Sequence, residues 1–161
     1  MNAPPPVRAY VGIGANLGDA LATVRSAFER LRPFGAMRRS SLYRSAPVDA
    51  GGPDFFNAVA ELQPALDASA LLAALQSIEA DFGRQRPYRN APRTLDLDLL
   101  LYGDLALQTP TLTLPHPRLH LRAFVLQPLL ELQPALAAPG LGPLHAHLAA
   151  TADQPIDRLA D

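Results

Sequence analysis

Arg93-Thr94-Leu95-Asp96-Leu97-Asp98-Leu99-Leu100-Leu101-Tyr102 sets two carboxylates one residue apart inside a run of leucines. Residues two apart in a strand share a face, so Leu95, Leu97 and Leu99 turn into one layer while Asp96 and Asp98 point together from the other. Gly103-Asp104 follows as a strong turn signal. The segment Leu95 to Tyr102 therefore reads as a strand, and what precedes it decides which fold it completes.

Upstream, Leu71, Leu75, Ile78 and Phe82 recur at helical spacing, with Asp67 and Ser69 as candidate caps and Gly83 as a stop. Before that helix lie a strand from Phe55 to Leu62, a loop from Ser45 to Asp54 with two prolines and Gly51-Gly52, and a strand from Met37 to Tyr43. Leu17, Leu21, Val24, Phe28 and Leu31 mark a first helix, capped by Asp19 and ended by Pro33 and Gly35. Val7 to Ile13 is the opening strand, followed by a turn around Gly14-Ala15-Asn16. The order strand, helix, strand, strand, helix, strand predicts an α+β fold, the split βαββαβ arrangement of a ferredoxin-like sandwich.

After Tyr102 the pattern predicts additional C-terminal pieces: a short edge strand within Leu112 to His116, and one or two short helices within Arg122 to Leu132. Pro128 stands at or near the start of the second of these, and a last small helix spans Leu141 to Ala150. No repeat or long linker divides the chain, so a single domain over residues 1–161 is expected, with residues 1–6 flexible.

Composition narrows the chemistry. A chain of 161 residues that is 48% hydrophobic can bury one substantial core. With no cysteine, it offers no disulfide, thiolate metal site or cysteine nucleophile. All 14 basic residues are arginine, which removes a lysine Schiff base and a P-loop lysine; bound phosphate must meet arginine forks or backbone donors. A net charge of -1 argues against a nucleic-acid partner, and no apolar run is long enough for a membrane span. The expected setting is the cytoplasm.

Two carboxylates aimed at one site repel unless a hard divalent cation lies between them, and oxygen-only ligands point to magnesium bridged to substrate phosphates. Arg84, Arg86, Arg89 and Arg93 crowd the ten residues around the start of this strand. They can serve as bidentate phosphate donors, or equally as surface salt-bridge partners of aspartates on a solvated edge strand. His116, held between Pro115 and Pro117, is either a rigidly placed phosphate donor or a structural imidazole. His120, His145 and His147 read as surface residues. Asn57 shares a strand face with Phe55, a pairing that suits stacking and hydrogen bonding to a planar heterocycle, unless Asn57 merely caps a turn. Gly12, Gly14 and Gly18 do not match the Rossmann spacing and are better explained by a tight turn into a helix.

Pro92-Arg93-Thr94-Leu95-Asp96-Leu97-Asp98-Leu99-Leu100 resembles the signature of the 6-hydroxymethyl-7,8-dihydropterin pyrophosphokinase family. Other blocks resemble it in order: Gly12 to Gly18, Ser41 to Ser45, Pro53 to Asn57, Leu114 to Pro117 and Arg122 to Phe124, so the similarity runs over about residues 8–136. The resemblance implies transfer of pyrophosphate from ATP to the pterin hydroxymethyl group, with AMP as by-product and two magnesium ions as cofactors. It implies that Asp96 and Asp98 hold the ions, with Arg84 and Arg93 beside them in catalysis. On the pterin it implies Ser45, Ala46, Val48, Phe55, Asn57, Asp96 and Phe124, and on ATP Gln76, Glu79, Arg84, Arg86, Arg93, Thr113, His116 and Arg122. A monofunctional monomer that closes a loop over bound ATP is expected.

The sequence departs from the family pattern at Asn90, where many relatives stack a tryptophan, at Pro87 and Thr111, where basic residues can occur, and at Phe55, which lacks a tyrosine hydroxyl. These changes bear on rate and loop closure more than on reaction class. Two other functions fit parts of the pattern: nucleotidyl transfer, which also uses paired aspartates, and a non-enzymatic ferredoxin-like module binding RNA or a regulatory ligand.

Overall fold

The computed structural model describes residues 6–47, 52–83 and 94–160. Strand β1 (Ala9–Ala15) leads into helix α1 (Ala20–Leu31), then β2 (Gly35–Arg39), β3 (Tyr43–Ser45), β4 (Phe55–Pro64), helix α2 (Ala68–Phe82) and β5 (Asp96–Tyr102). Beyond these come β6 (Leu107–Gln108), β7 (Thr113–Leu114), helix α3 (Ala123–Leu132), β8 (Ala137–Ala138), β9 (Gly142–Pro143) and β10 (Ile156–Arg158). The main sheet is antiparallel throughout: β5 lies beside β1, β1 beside β4, and β2 and β3 succeed one another along the far edge of β4. This is the strand order of the expected split βαββαβ sandwich.

Both expected helices form where their caps and stripes place them. Asp19 Oδ1 accepts from the Ala22 amide at 3.2 Å and Asp67 Oδ1 from the Ala70 amide at 2.8 Å, so Asp67 rather than Ser69 caps α2. Val24, Phe28 and Leu31 of α1 and Leu71, Leu75 and Ile78 of α2 are buried against Val11, Ile13, Leu97 and Leu99 on one face of the sheet. Each fully buried leucine here contributes about 2 kcal/mol through loss of contact with water. A second cluster covers the opposite face, where Leu126 and Leu129 of α3, with Leu119 and Leu144, pack on Tyr10, Val59, Leu100 and Leu101. The sheet is thus covered on both sides, and α3 is the element that closes the second face.

Five local expectations change. The predicted strand from Met37 to Tyr43 is two strands: between the pairs Arg39↔Ala60 and Tyr43↔Asn57 one edge takes four steps and β4 takes three, a bulge. Ser40 stabilises it by accepting from the Val59 amide through Oγ and donating its own amide to the Val59 carbonyl, both at 2.9 Å. Thr113–Leu114 pairs only with β6, apart from the main sheet. Arg122 to Leu132 holds one helix with Pro128 inside it, so the amide that would have reached the Phe124 carbonyl is missing and Pro128 starts nothing new. Leu141 to Ala150 is no α-helix but β9 followed by two 3-10 turns, Leu144–His147 and Ala149–Thr151. Finally β10, unforeseen from sequence, pairs with β3 and extends the sheet edge.

Candidate functional site

The site is built on the sheet face that α3 covers. Gly14 pairs with Asn57 on one side and Asp96 on the other; Gly12 pairs with Val59 and Asp98. Side chains in these two rows share a face, so Asn57, Asp96 and Asp98 flank two positions that have no side chain. Above them lies a cavity of about 500 Å³. Its floor is Gly12 and Gly14, its walls are Ser45, Ala46, Phe55 and Asn57 on one side and Asp96 and Asp98 on the other, and Arg122 and Phe124 close it from α3. Gly12 lies in the opening strand as expected, whereas the turn expected at Gly14 is corrected: β1 runs on through Ala15, and of the three glycines only Gly18, at φ 57°, takes a turn conformation.

A second cavity of about 340 Å³ adjoins the first. Gln76 and Glu79 of α2, Thr113 and His116 line it, together with Asp98. Asp98 is thus common to both cavities.

Several bonds hold these groups in place. Asn57, 2% exposed, donates from Nδ2 to Ser45 Oγ at 2.8 Å, which corrects the alternative that Asn57 caps a turn. Glu79 Oε2 accepts from the Leu97 amide at 2.9 Å, tying α2 to β5 between the two aspartates. His116 is fixed by its amide, which donates to the Leu100 carbonyl at 2.9 Å. Its Nδ1 accepts from the Arg118 amide at 3.1 Å, which leaves the ring proton of the neutral imidazole on Nε2, 3.9 Å from Asp98 Oδ1. Burial pushes the His116 pKa below its ordinary 6.5, Asp98 opposes that shift, and Arg122 and Arg118 reinforce it. The Arg122 guanidinium carbon lies 5.4 Å from the centre of the Phe124 ring, a cation–π contact.

The residues suggested for the pterin, Ser45, Ala46, Phe55, Asn57, Asp96 and Phe124, all line the first cavity. Of those suggested for ATP, Gln76, Glu79, Thr113 and His116 line the second, whereas Arg122 lines the first. Val48, Arg84, Arg86 and Arg93 lie outside the described residues, as do Pro87, Arg89 and Asn90. Among the described residues no group of three or more His, Asp or Glu is arranged to hold a metal. The donor set present is the pair of carboxylates, and it suits magnesium, an ion that keeps waters and takes further oxygens from a substrate.

The family model of 7,8-dihydro-6-hydroxymethylpterin-pyrophosphokinase (HPPK) matches residues 10–134. The chain belongs to this enzyme family. Among HPPK relatives, the 2-amino-4-hydroxy-6-hydroxymethyldihydropteridine pyrophosphokinase of Pseudomonas aeruginosa is 44% identical over 156 residues, covering 94% of this chain and 96% of that one. The enzyme of the same name from Bacillus subtilis is 38% identical over 130 residues, 77% of each chain. The fold matches the crystal structure of Plasmodium falciparum HPPK-DHPS with a TM-score of 0.71 at 12% identity, over 89% of this chain and 45% of the other.

Five cavity residues escape both the sequence reading and the HPPK resemblance as site residues: Ala58, Arg118, Leu121, Val125 and Gln154. Gln154 lies beyond the part of the chain that the HPPK model matches. A lone glutamine between an aspartate and a proline carries no local pattern that would mark it. His120 and His147 also differ from expectation, since they are half-buried and meet edge to face with ring centres 5.2 Å apart.

Proposed function

We propose that this protein transfers the β,γ-pyrophosphoryl group of ATP to the hydroxymethyl oxygen of 6-hydroxymethyl-7,8-dihydropterin, releasing AMP. The observation that carries the proposal is the place of Asp98 on the wall shared by two adjoining cavities, one floored by glycines and the other against α2. A planar heterocycle fits the first, over Gly12 and Gly14, with Asn57 hydrogen-bonding its edge and Phe55 and Phe124 flanking it. The triphosphate enters from the second, past Gln76, Glu79, Thr113 and His116, and its reacting end meets the pterin alcohol beside Asp98.

The pterin oxygen attacks the β-phosphorus in line; the new O–Pβ bond forms as the bond from Pβ to the oxygen bridging Pα breaks, and AMP leaves with that oxygen. Asp96, which lines the pterin cavity, accepts the alcohol proton. Asp96 and Asp98 would hold magnesium, two ions by family resemblance, and the bound metal supplies charge neutralisation on the phosphate oxygens. His116 donates from Nε2 to phosphate, Arg122 spans the gap between the ring of Phe124 and the phosphates, and Arg84, Arg86 and Arg93 add bidentate donors with Val48 backing the pterin. The protein acts as a cytoplasmic monomer with one pyrophosphokinase domain over residues 1–161. Among the described residues no helix is long and apolar enough to cross a membrane.

Phosphorus NMR of the protein with ATP, magnesium and the pterin alcohol tests the reaction. AMP and a diphosphate ester rising together at equal rates are expected. Free pyrophosphate together with a nucleotidylated product would overturn the proposal in favour of nucleotidyl transfer.

A further inference from the structure

Helix α3 has an uncommon start. Its N-cap residue is Arg122, in extended conformation at φ -129° and ψ 120°, and its side chain makes no capping bond. A guanidinium has only donors, so it cannot accept from the exposed amides of a first helical turn. One exposed amide of that turn, the Ala123 amide at its first position, finds an acceptor from far along the chain: Gln154 Oε1 accepts from it at 2.8 Å. The same side chain donates from Nε2 to the Leu121 carbonyl at 2.9 Å, so its amide grips the backbone on both sides of Arg122.

Gln154 is itself well held. Its amide donates to the Thr151 carbonyl at 3.0 Å, and two residues on, Ile156 pairs with Ser45 in the sheet. One short tail thus braces two opposite walls of the first cavity, β3 through β10 and the start of α3 through Gln154. This tail lies outside the span that the family model matches.

We infer that Gln154 is a positioning residue of the site: it satisfies the first amide of α3 and the Leu121 carbonyl on either side of Arg122, and so holds the Arg122 guanidinium over Phe124 at the cavity. The consequence is that the backbone of 121–123 has one placement, and Arg122 starts from a fixed base rather than from a frayed helix end.

The inference rests on the proposed transfer reaction, and its test separates the two. Steady-state kinetics would be measured for the wild type, Gln154→Ala, Arg122→Ala and the double variant, with melting temperatures and amide hydrogen exchange at Ala123. Gln154→Ala is expected to lower kcat/KM about tenfold, the scale of a lost positioning hydrogen bond. In the Arg122→Ala background the same change should cost no more than about twofold, because the group it positions is gone. Equal losses in both backgrounds, or unchanged kcat/KM in Gln154→Ala, would overturn the inference. If the wild type forms no pterin diphosphate, the reaction is what fails; the cap is then decided by the Ala123 amide, which exchanges faster in Gln154→Ala if Gln154 holds it and unchanged if it does not.

Discussion

The Asn57 side chain donates to Ser45 Oγ at 2.8 Å, and on its other side its Oδ1 would lie only 3.2 Å from a Cβ added at Gly14. Asn57 is therefore clamped between a hydroxyl on β3 and a bare backbone on β1. Gly14→Ala must push the Asn57 amide aside by a few tenths of an ångström and also fill the cavity floor. We expect it to weaken pterin binding at least about tenfold, because a buried amide held off its partner loses the hydrogen bond and keeps the cost of burial. At Gly12 the added Cβ would come nearest to the flexible Leu100 side chain, at 3.4 Å, so crowding between side chains is milder there. Fluorescence titration with the pterin should rank the variants accordingly; a Gly14→Ala protein that binds like wild type would contradict this view of the floor.

Glu61 lies farther along the same face, 5% exposed, and accepts three hydrogen bonds from two side chains. Tyr10 Oη donates to it at 2.7 Å, and Arg38 donates to both oxygens at 2.9 and 3.0 Å. The Arg38 hydrogen bonds hold the Glu61 pKa below its ordinary 4.5; burial works against this, and the Tyr10 hydroxyl assists. A lowered carboxylate pKa means that the unfolded chain binds more protons than the folded one as pH falls below 4.5. The stabilisation is therefore present above that value and lost as pH drops through the folded pKa. Glu61→Gln should cost about 2 kcal/mol at neutral pH, below the roughly 3 to 5 kcal/mol of a fully buried pair because Arg38 is 55% exposed. The gap in melting temperature between the two proteins should close below pH 4.5; a gap that widens in acid would reverse the sign argued here.

Glu79 serves the aspartate pair indirectly, by receiving the Leu97 amide that sits between Asp96 and Asp98. Glu79→Ala removes a charged acceptor and frees that amide, a loss of roughly 1.5 to 3 kcal/mol in the local bond. Glu79→Gln keeps a carbonyl oxygen in place and should retain most of it. The expected order of kcat/KM is wild type, then Glu79→Gln, then Glu79→Ala, with KM for ATP rising more than KM for the pterin. Equal KM changes for both substrates would count against a place for Glu79 on the nucleotide side.

Much of this arrangement is legible in the sequence, for reasons that differ by element. Helix stripes and strand alternation repeat often enough to locate α1, α2, β4 and β5, and Asp19 and Asp67 mark helix starts by chemistry alone. Asp96 and Asp98 stand out because carboxylates are costly among leucines. The pairing of glycines with aspartates across β1 and β5 depends on strand register, which one strand cannot reveal. The bulge at Ser40 leaves the apolar pattern from Met37 to Tyr43 undisturbed, and β10 has only three residues, too few for a period. Gln154 caps a helix that begins 31 positions earlier, a relation that only the folded chain contains.

The central claim is that Asp96 and Asp98, on one strand face at the junction of two cavities, direct pyrophosphoryl transfer to the pterin. Quenched single-turnover reactions analysed by mass spectrometry test it most directly, with wild type, Asp96→Ala and Asp98→Ala compared at equal nucleotide saturation. The account predicts AMP and pterin diphosphate in equal amounts from the wild type, and a fall of at least about 10²-fold in the rate of both from each variant, with the fold intact. Wild-type protein that binds ATP and the pterin yet forms neither product, or aspartate variants that form both at the wild-type rate, would contradict it.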